Sequence, residues 1–220
     1  MNVCYTALFG NYEELKTPKV ITPGWFYICF TDQPLKSDIW QIIQVKPEHS
    51  SSVLNARYIK IVEFKRWKKT FWVDASFVID TDLNLWWEKH FKKGFSAPKH
   101  PLRNDVIEEC MDCIISHRGN REEVDRQMNE YKALKLPRNA GVIQSGILMR
   151  ENTPEVVKLC EAWWQELSIR STRDQISFCK VSLDFKEVIH TYDFDYRLRK
   201  DFLYHLHYKN RGGVNVPMSK

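Results

Sequence analysis

Residues 71–80, Phe71-Trp72-Val73-Asp74-Ala75-Ser76-Phe77-Val78-Ile79-Asp80, form an apolar run interrupted by one acid. The pattern predicts a buried strand whose C-terminal tip presents the Asp74 carboxylate. An ionised carboxylate taken out of water costs several kcal/mol unless a cation or hydrogen-bond donors compensate it. In a chain that alternates strands and helices, such a strand tip lies where open α/β sheets bind ligands. A turn or helix-cap Asp would leave the same trace. Arg173-Asp174-Gln175 is the second acidic point, where an Asp opens a helix next to an Arg. Asp80-Thr81-Asp82 has two acids at close spacing, but it falls at a helix start and reads as a cap.

These acids need elements to hold them. Strands are predicted over 3–9, 25–30, 40–45 and 70–73, with a helix capped by the serines at 50–52 between the last two. Helices follow at 83–91 and across the charged stretch 108–134, which reads as one or two surface helices. An apparent strand at 94–97 lies between them, and a further strand is expected at 141–149. Thr153-Pro154 is an N-cap followed by Pro at the first helical position, opening a helix to about residue 167. Another helix starts near 171–174. The tail from 190 to 220 is aromatic, basic and less regular. Alternating strands and helices imply an α/β fold with a mainly parallel central sheet flanked by helices.

Composition narrows the function classes. The chain has 220 residues, 43% hydrophobic and 28% charged, which suits a globular protein with one substantial core. No window approaches the ~18 apolar residues of a membrane span, and no leader pattern opens the chain, so a soluble cytoplasmic protein is expected. A net charge of +5 fits an anionic ligand, but the basic residues alternate with acids and form no stripe, so nucleic acid is not an expected partner. The six cysteines are scattered, and Cys110-Met111-Asp112-Cys113 lacks the second ligand pair of a zinc site; it reads as two small apolar positions on a helix. Cys4 and Cys29 lie in apolar strand runs and suit a reducing compartment.

In order and spacing, the stretch from Val3 to Tyr12, the end Phe30-Thr31-Asp32, Asn55-Ala56-Arg57-Tyr58, Trp72-Val73-Asp74-Ala75-Ser76 and Arg173-Asp174-Gln175 resemble GT-A-fold glycosyltransferases. The similarity is greatest to the glycosyltransferase-like domains of bacteria, large viruses and plant mucilage-related proteins, and it spans roughly residues 3–178. The resemblance implies a single GT-A-like (Rossmann-like) domain over 1–220. Its nucleotide-binding half would cover about 1–82 and its sugar and acceptor half about 83–220. It implies transfer of a hexosyl or deoxyhexosyl group from a UDP- or GDP-sugar to a carbohydrate or glycoprotein acceptor, assisted by Mn²⁺ or Mg²⁺. A binding domain of the same fold with little or no catalysis is the alternative.

The same resemblance distributes roles. Thr6, Ala7, Phe9, Gly10 and Tyr12 would border or cover the base, with Asp32 accepting a hydrogen bond from base or ribose; Phe9 and Tyr12 read equally as packing. Arg57 would pair with Asp74 or a phosphate, or lie as a surface Arg. Asp74 and Ser76 match the two acids of the metal motif, with a hydroxyl where the second carboxylate belongs. His207, or His205, would complete the metal set, or both are solvated tail histidines. His100 and Arg103 would contact phosphate or sugar. Gln144, Ser145 and Gly146 would line the sugar ring, with Gln144 as a hydrogen-bonding arm. Asp174 and Gln175 would act at the sugar, or Asp174 would serve as a capping acid.

Overall fold

In a computed structural model of the chain, residues 1–11 and 13–204 are described. The elements run β1 (Asn2–Leu8), β2 (Trp25–Thr31), β3 (Gln41–Gln44), α1 (Ser52–Val62), β4 (Lys69–Val73), β5 (Phe77–Ile79), α2 (Leu83–His90) and β6 (Phe95–Pro98). They continue α3 (Val106–Ile115), α4 (Arg121–Ala133), β7 (Ile147–Glu151), α5 (Pro154–Ser168), α6 (Asp174–Val181), β8 (Ile189–Tyr192) and β9 (Phe202–Tyr204). Seven strands form one sheet in the order β3-β2-β1-β4-β7-β6-β8. Only β7 runs against its neighbours β4 and β6; the other pairings are parallel. The expected α/β class with a mainly parallel sheet is what the chain forms.

The sheet is buried on both faces, as a parallel sheet covered by helices must be. Alternate residues of one strand therefore enter different cores. Val3, Tyr5 and Ala7 of β1 join Trp72, Leu148 and the helix residues Ile59 and Trp163 on one face. Cys4 and Leu8 join Phe71, Val73, Ile147, Met149 and the Trp86–Trp87 pair of α2 on the other. A third cluster unites α3, α4 and α6 around Cys110, Cys113, Tyr131 and Cys179. All six cysteines are buried and free, so the CxxC pair is core, as its spacing suggested.

Several local signals hold. Ser51 caps α1 by accepting from the Leu54 N–H, and Thr153 caps α5 by accepting from Val156. Asp82 accepts from Asn84 and Leu85 and caps α2, while Asp80 pairs with Lys19 at 3.0 Å. The acid pair at 80 and 82 is thus structural. The charged stretch is two helices, broken at residues 116–120 with His117 and Gly119 at positive φ.

Two expectations need correcting. The strand predicted at 141–149 begins only at Ile147, and Gln144-Ser145-Gly146 form the loop that feeds it. Apolar Val142 and Ile143 are buried as a loop pinned by backbone bonds, His100 N–H to Val142 O and Gln144 N–H to Pro98 O, which mimics a strand pattern in sequence. The tail holds two short strands: β8 extends the main sheet, and β9 pairs antiparallel with β5. Its aromatic residues Tyr192, Phe194 and Phe202 are core rather than surface.

Candidate active site

Strand β4 ends at Val73, and Asp74 stands at its tip, as the sequence pattern required. The backbone N–H of Asp74 donates to the Gly146 carbonyl at 2.8 Å, which brings the loop before β7 beside the acid. A side chain at Gly146 would not fit: its Cβ would lie 2.8 Å from Phe77 Cε2 and 3.4 Å from Asp74 Oδ2. Replacing Gly146 by Ala should therefore displace the Phe77 ring and cost about 1–3 kcal/mol, the usual range for overpacking. Thermal melting measures this, and an unchanged midpoint would show that Phe77 can yield.

A second acid converges on the same place. Asp174 opens α6 but does not cap it; the N-cap position belongs to Arg173, whose side chain makes no capping bond. Asp174 Oδ2 accepts from the Lys60 ammonium at 2.7 Å and from the Ser145 hydroxyl at 2.8 Å, with Arg57 Nη1 at 3.3 Å. Lys60 also reaches Asp74 Oδ1 at 3.3 Å, and Trp72 Nε1 donates to that oxygen at 2.7 Å. Two acids and two bases thus form a closed tetrad, in which Lys60 is fully buried and Asp174 is 1% exposed. Tyr5 fixes the helix beneath by donating its hydroxyl to the Lys60 carbonyl at 2.8 Å.

The electrostatics follow from this geometry. Burial alone would raise the Asp174 pKa, but the cations of Arg57, Lys60 and Arg173 outweigh it and hold the carboxyl well below the usual carboxylate range. Such an acid accepts hydrogen bonds well and protons poorly. Burial draws the Lys60 ammonium below its ordinary value, against the opposing pull of Asp174 and Asp74. One acceptor is left over: Asp174 Oδ1 is buried and has no hydrogen-bond partner among the described residues.

Asp174 lines a cavity of about 380 Å³, within the size range of small-ligand sites. Of the residues singled out in the sequence, Arg57, Asp74, Ser76, His100, Gln144, Ser145, Gly146, Asp174 and Gln175 all line it. They come from α1, the β4 tip, the loop after β6, the loop before β7 and the first turn of α6. Gln175 is partly committed, donating from Nε2 to the Ile143 carbonyl at 2.8 Å and receiving Arg173 at 3.1 Å. His100 accepts the Leu102 and Arg103 N–H groups on Nδ1. Burial, and then the Arg103 charge, bring its pKa down to about 4, so the ring is neutral near pH 7.

Other residues lie elsewhere. Arg103 does not line this cavity; its Nε bonds Glu109 at 2.5 Å and its Nη2 lies 3.3 Å from Asp112. Thr6, Ala7 and Phe9 are buried at the end of β1, and Asp32 accepts from the Gly10 N–H at 3.2 Å. Gly10 has φ +76°, and a Cβ there would meet Ser52 Oγ at 2.2 Å, so its close approach is to α1. Tyr12, His205 and His207 fall outside the described residues.

Sequence reading missed Arg118, Tyr196 and Phe77 at this cavity, and Lys60, which is buried against Asp174. For Lys60 a signal existed: a Lys enclosed in Ile59-Lys60-Ile61-Val62, one turn after Arg57, is out of place on a buried helix face. Tyr196 had none, because only the course of the tail brings it here.

A mainly parallel sheet with β4 ending in an acid, faced by a second acid from a helix start, is an architecture of the glycosyltransferase-like class. The comparisons agree. Residues 28–208 match the family model described as TOD1/MUCI70, glycosyltransferase-like domain, and the chain belongs to that family. It is 23% identical over 214 residues to a protein named probable hexosyltransferase MUCI70 from Arabidopsis thaliana, covering 81% of this chain and 36% of that protein. The chain therefore spans about a third of its curated relative. Among solved structures, the apo form of the bifunctional glycosyltransferase WbbM superposes with a TM-score of 0.51 at 12% identity, covering 87% of this chain and 38% of that one. Mouse xyloside xylosyltransferase 1 gives a TM-score of 0.47 at 9% identity, over 87% and 84% of the two chains. No helix among the described residues is long and apolar enough to cross a membrane.

Proposed function

We propose that the chain transfers a hexosyl or deoxyhexosyl group from a UDP- or GDP-sugar to a carbohydrate or glycoprotein acceptor in the cavity between Asp74 and Asp174. The observation that carries this reading is Asp174, which lines the cavity while its buried Oδ1 has no hydrogen-bond partner among the described residues. Leaving such an atom unsatisfied costs about 1–3 kcal/mol, which a sugar hydroxyl donating to it would recover. In the reaction the acceptor hydroxyl oxygen bonds the anomeric carbon, whose bond to the diphosphate oxygen breaks with its electron pair. The hydroxyl proton passes to the departing diphosphate or to solvent. Arg57, 13% exposed and already 3.8 Å from Asp74, offers a planar donor fork to the phosphates. Asp174 stays ionised throughout and stabilises positive charge developing on the sugar ring. His100, neutral near pH 7, borders the same space without adding charge.

The oxygen donors at Asp74 and Ser76 fit a divalent ion. Asp74 keeps Oδ2 available on a side chain 28% exposed, and Ser76 lines the same cavity; hard oxygen donors of this kind suit Mg²⁺ or Mn²⁺. Among the described residues no three His, Cys, Asp or Glu side chains converge, so diphosphate oxygens and water would complete the shell, with His207 as a further proposed ligand. Bound there, the ion would supply charge stabilisation to the leaving diphosphate.

A thermal-shift series with UDP- and GDP-sugars, with and without Mn²⁺, tests the reading. A ligand at about 100 times its Kd adds about 2.7 kcal/mol, which should raise Tm by roughly 5–10 °C in a chain of this size. Donor hydrolysis then separates an enzyme from a binding domain. The second reading, binding with little turnover, draws on Ser76 where the resemblance places an acid. For that reason Ser76→Asp should strengthen the Mn²⁺ dependence of donor binding several-fold by restoring a second carboxylate. An unchanged Mn²⁺ dependence would remove Ser76 from the metal set.

A further inference from the structure

A second cavity, of about 740 Å³, adjoins the one just described and has no part in donor binding as proposed. The two share a wall and a floor. His100 lines both, and α6 contributes to both: Asp174 and Gln175 line the smaller cavity, while Phe178 and Ser182, the residue that caps the end of α6, line the larger. Eight residues separate Asp174 from Ser182, roughly 12 Å along a helix. The loop between them is fixed, because the Ile143 carbonyl is held by Gln175 and the Val142 carbonyl by the His100 N–H at 2.7 Å.

The lining mixes two kinds of surface. Asn104, Ser182 and Thr191 offer hydrogen-bonding groups, whereas Leu102, 65% exposed, and Leu183 offer apolar patches. No acid lines it among the described residues; of its three cations, Lys99 pairs with Asp193 at 3.1 Å and Arg103 with Glu109 at 2.5 Å, while Lys186 forms no ion pair among them. Sugar rings present hydroxyl edges and C–H faces together, so a saccharide matches this alternation better than a purely apolar or a strongly charged ligand does.

We propose that this larger cavity is the acceptor subsite and takes a short oligosaccharide, whose terminal sugar passes His100 towards Asp174. The proposal rests on the transferase reading and adds the class of acceptor to it. It predicts a preference for oligosaccharides over single sugars, because the cavity extends well beyond the reacting end. Lys186 additionally favours chains that carry a uronic acid.

The labelled full-length chain on an array of linear neutral and uronic-acid oligosaccharides, with the matching monosaccharides, tests this. Oligosaccharides should bind and monosaccharides should not. Leu183→Trp, which fills the cavity, should weaken that binding at least tenfold while leaving the Tm shift from UDP or GDP with Mn²⁺ unchanged. Lys186→Glu lies on the exposed surface and serves if the Trp variant does not fold; it should weaken binding of uronic-acid chains most. Absence of oligosaccharide binding, or unchanged binding in both variants, would overturn the proposal. Oligosaccharide binding without any response to nucleotides or their sugars would instead overturn the transferase reading and leave a glycan-binding site.

Discussion

Asp174→Asn should lower the turnover of sugar transfer by about 100-fold or more, the usual cost of losing one electrostatic contact to a transition state. Affinity for the free nucleoside diphosphate should hardly change, since the proposed reading puts Asp174 at the sugar rather than at the nucleotide. The amide keeps the size of the side chain but removes the charge that Lys60 and Arg57 have lowered and fixed. It also turns one acceptor into a donor facing those cations. Some loss of stability must accompany this, so kcat should be read well below the melting midpoint. Transfer within a few-fold of the parent at saturating donor would remove Asp174 from the chemistry. Loss of nucleotide binding with normal transfer would place it at the wrong end of the ligand.

The second large effect is on folding. Lys60→Met should lower the unfolding free energy by about 3–5 kcal/mol, because removing one partner of a buried pair strands the other. That corresponds to a fall in Tm of roughly 6–20 °C. The effect should depend on pH in a definite direction. Asp174 has a depressed pKa in the fold, so its contribution is fully present above the unfolded value of about 3.9 and is lost as pH falls through the folded value. The gap between parent and variant should therefore be widest near neutral pH and narrow below about pH 4. Combining Lys60→Met with Asp174→Asn should cost less than the sum of the two, by about 0.5–3 kcal/mol, as contacting residues do. Strict additivity of the two losses would contradict the tetrad.

Much of this was legible because it is local. The Asp74 strand tip, the Ser51 and Thr153 caps and the capping role of Asp82 each follow from a few neighbouring residues. Short apolar runs along 3–9 and 70–73 placed the first and fourth strands. What escaped depends on pairs distant in sequence. Lys60 meets Asp174 across 114 residues, and no local pattern says which acid a buried lysine will find. The loop 141–146 resembled a strand because Val142 and Ile143 are buried, and burial is what hydrophobic pattern reports. Strands β8 and β9 are four and three residues long, too short for alternation to show among aromatic neighbours. Gly146 lines the cavity, and the atoms that need its missing side chain are those of Phe77 and Asp74.

The span of the Lys60–Asp174 contact also bears on how the chain is made. A ribosome adding about 5–20 residues per second releases α1 some 6–23 s before Asp174 emerges. During that interval Asp74 is the acid of the tetrad that Lys60 can reach, and α5, which packs on α1, and α6, which packs on α5, do not yet exist. Burying Lys60 then would strand a charge with half its compensation, so the nascent N-terminal half gains little by closing early. The ion pair that completes the cavity thereby also times its closure: the sheet's first four strands can gather, but the face bearing α1 seals only when the start of α6 arrives.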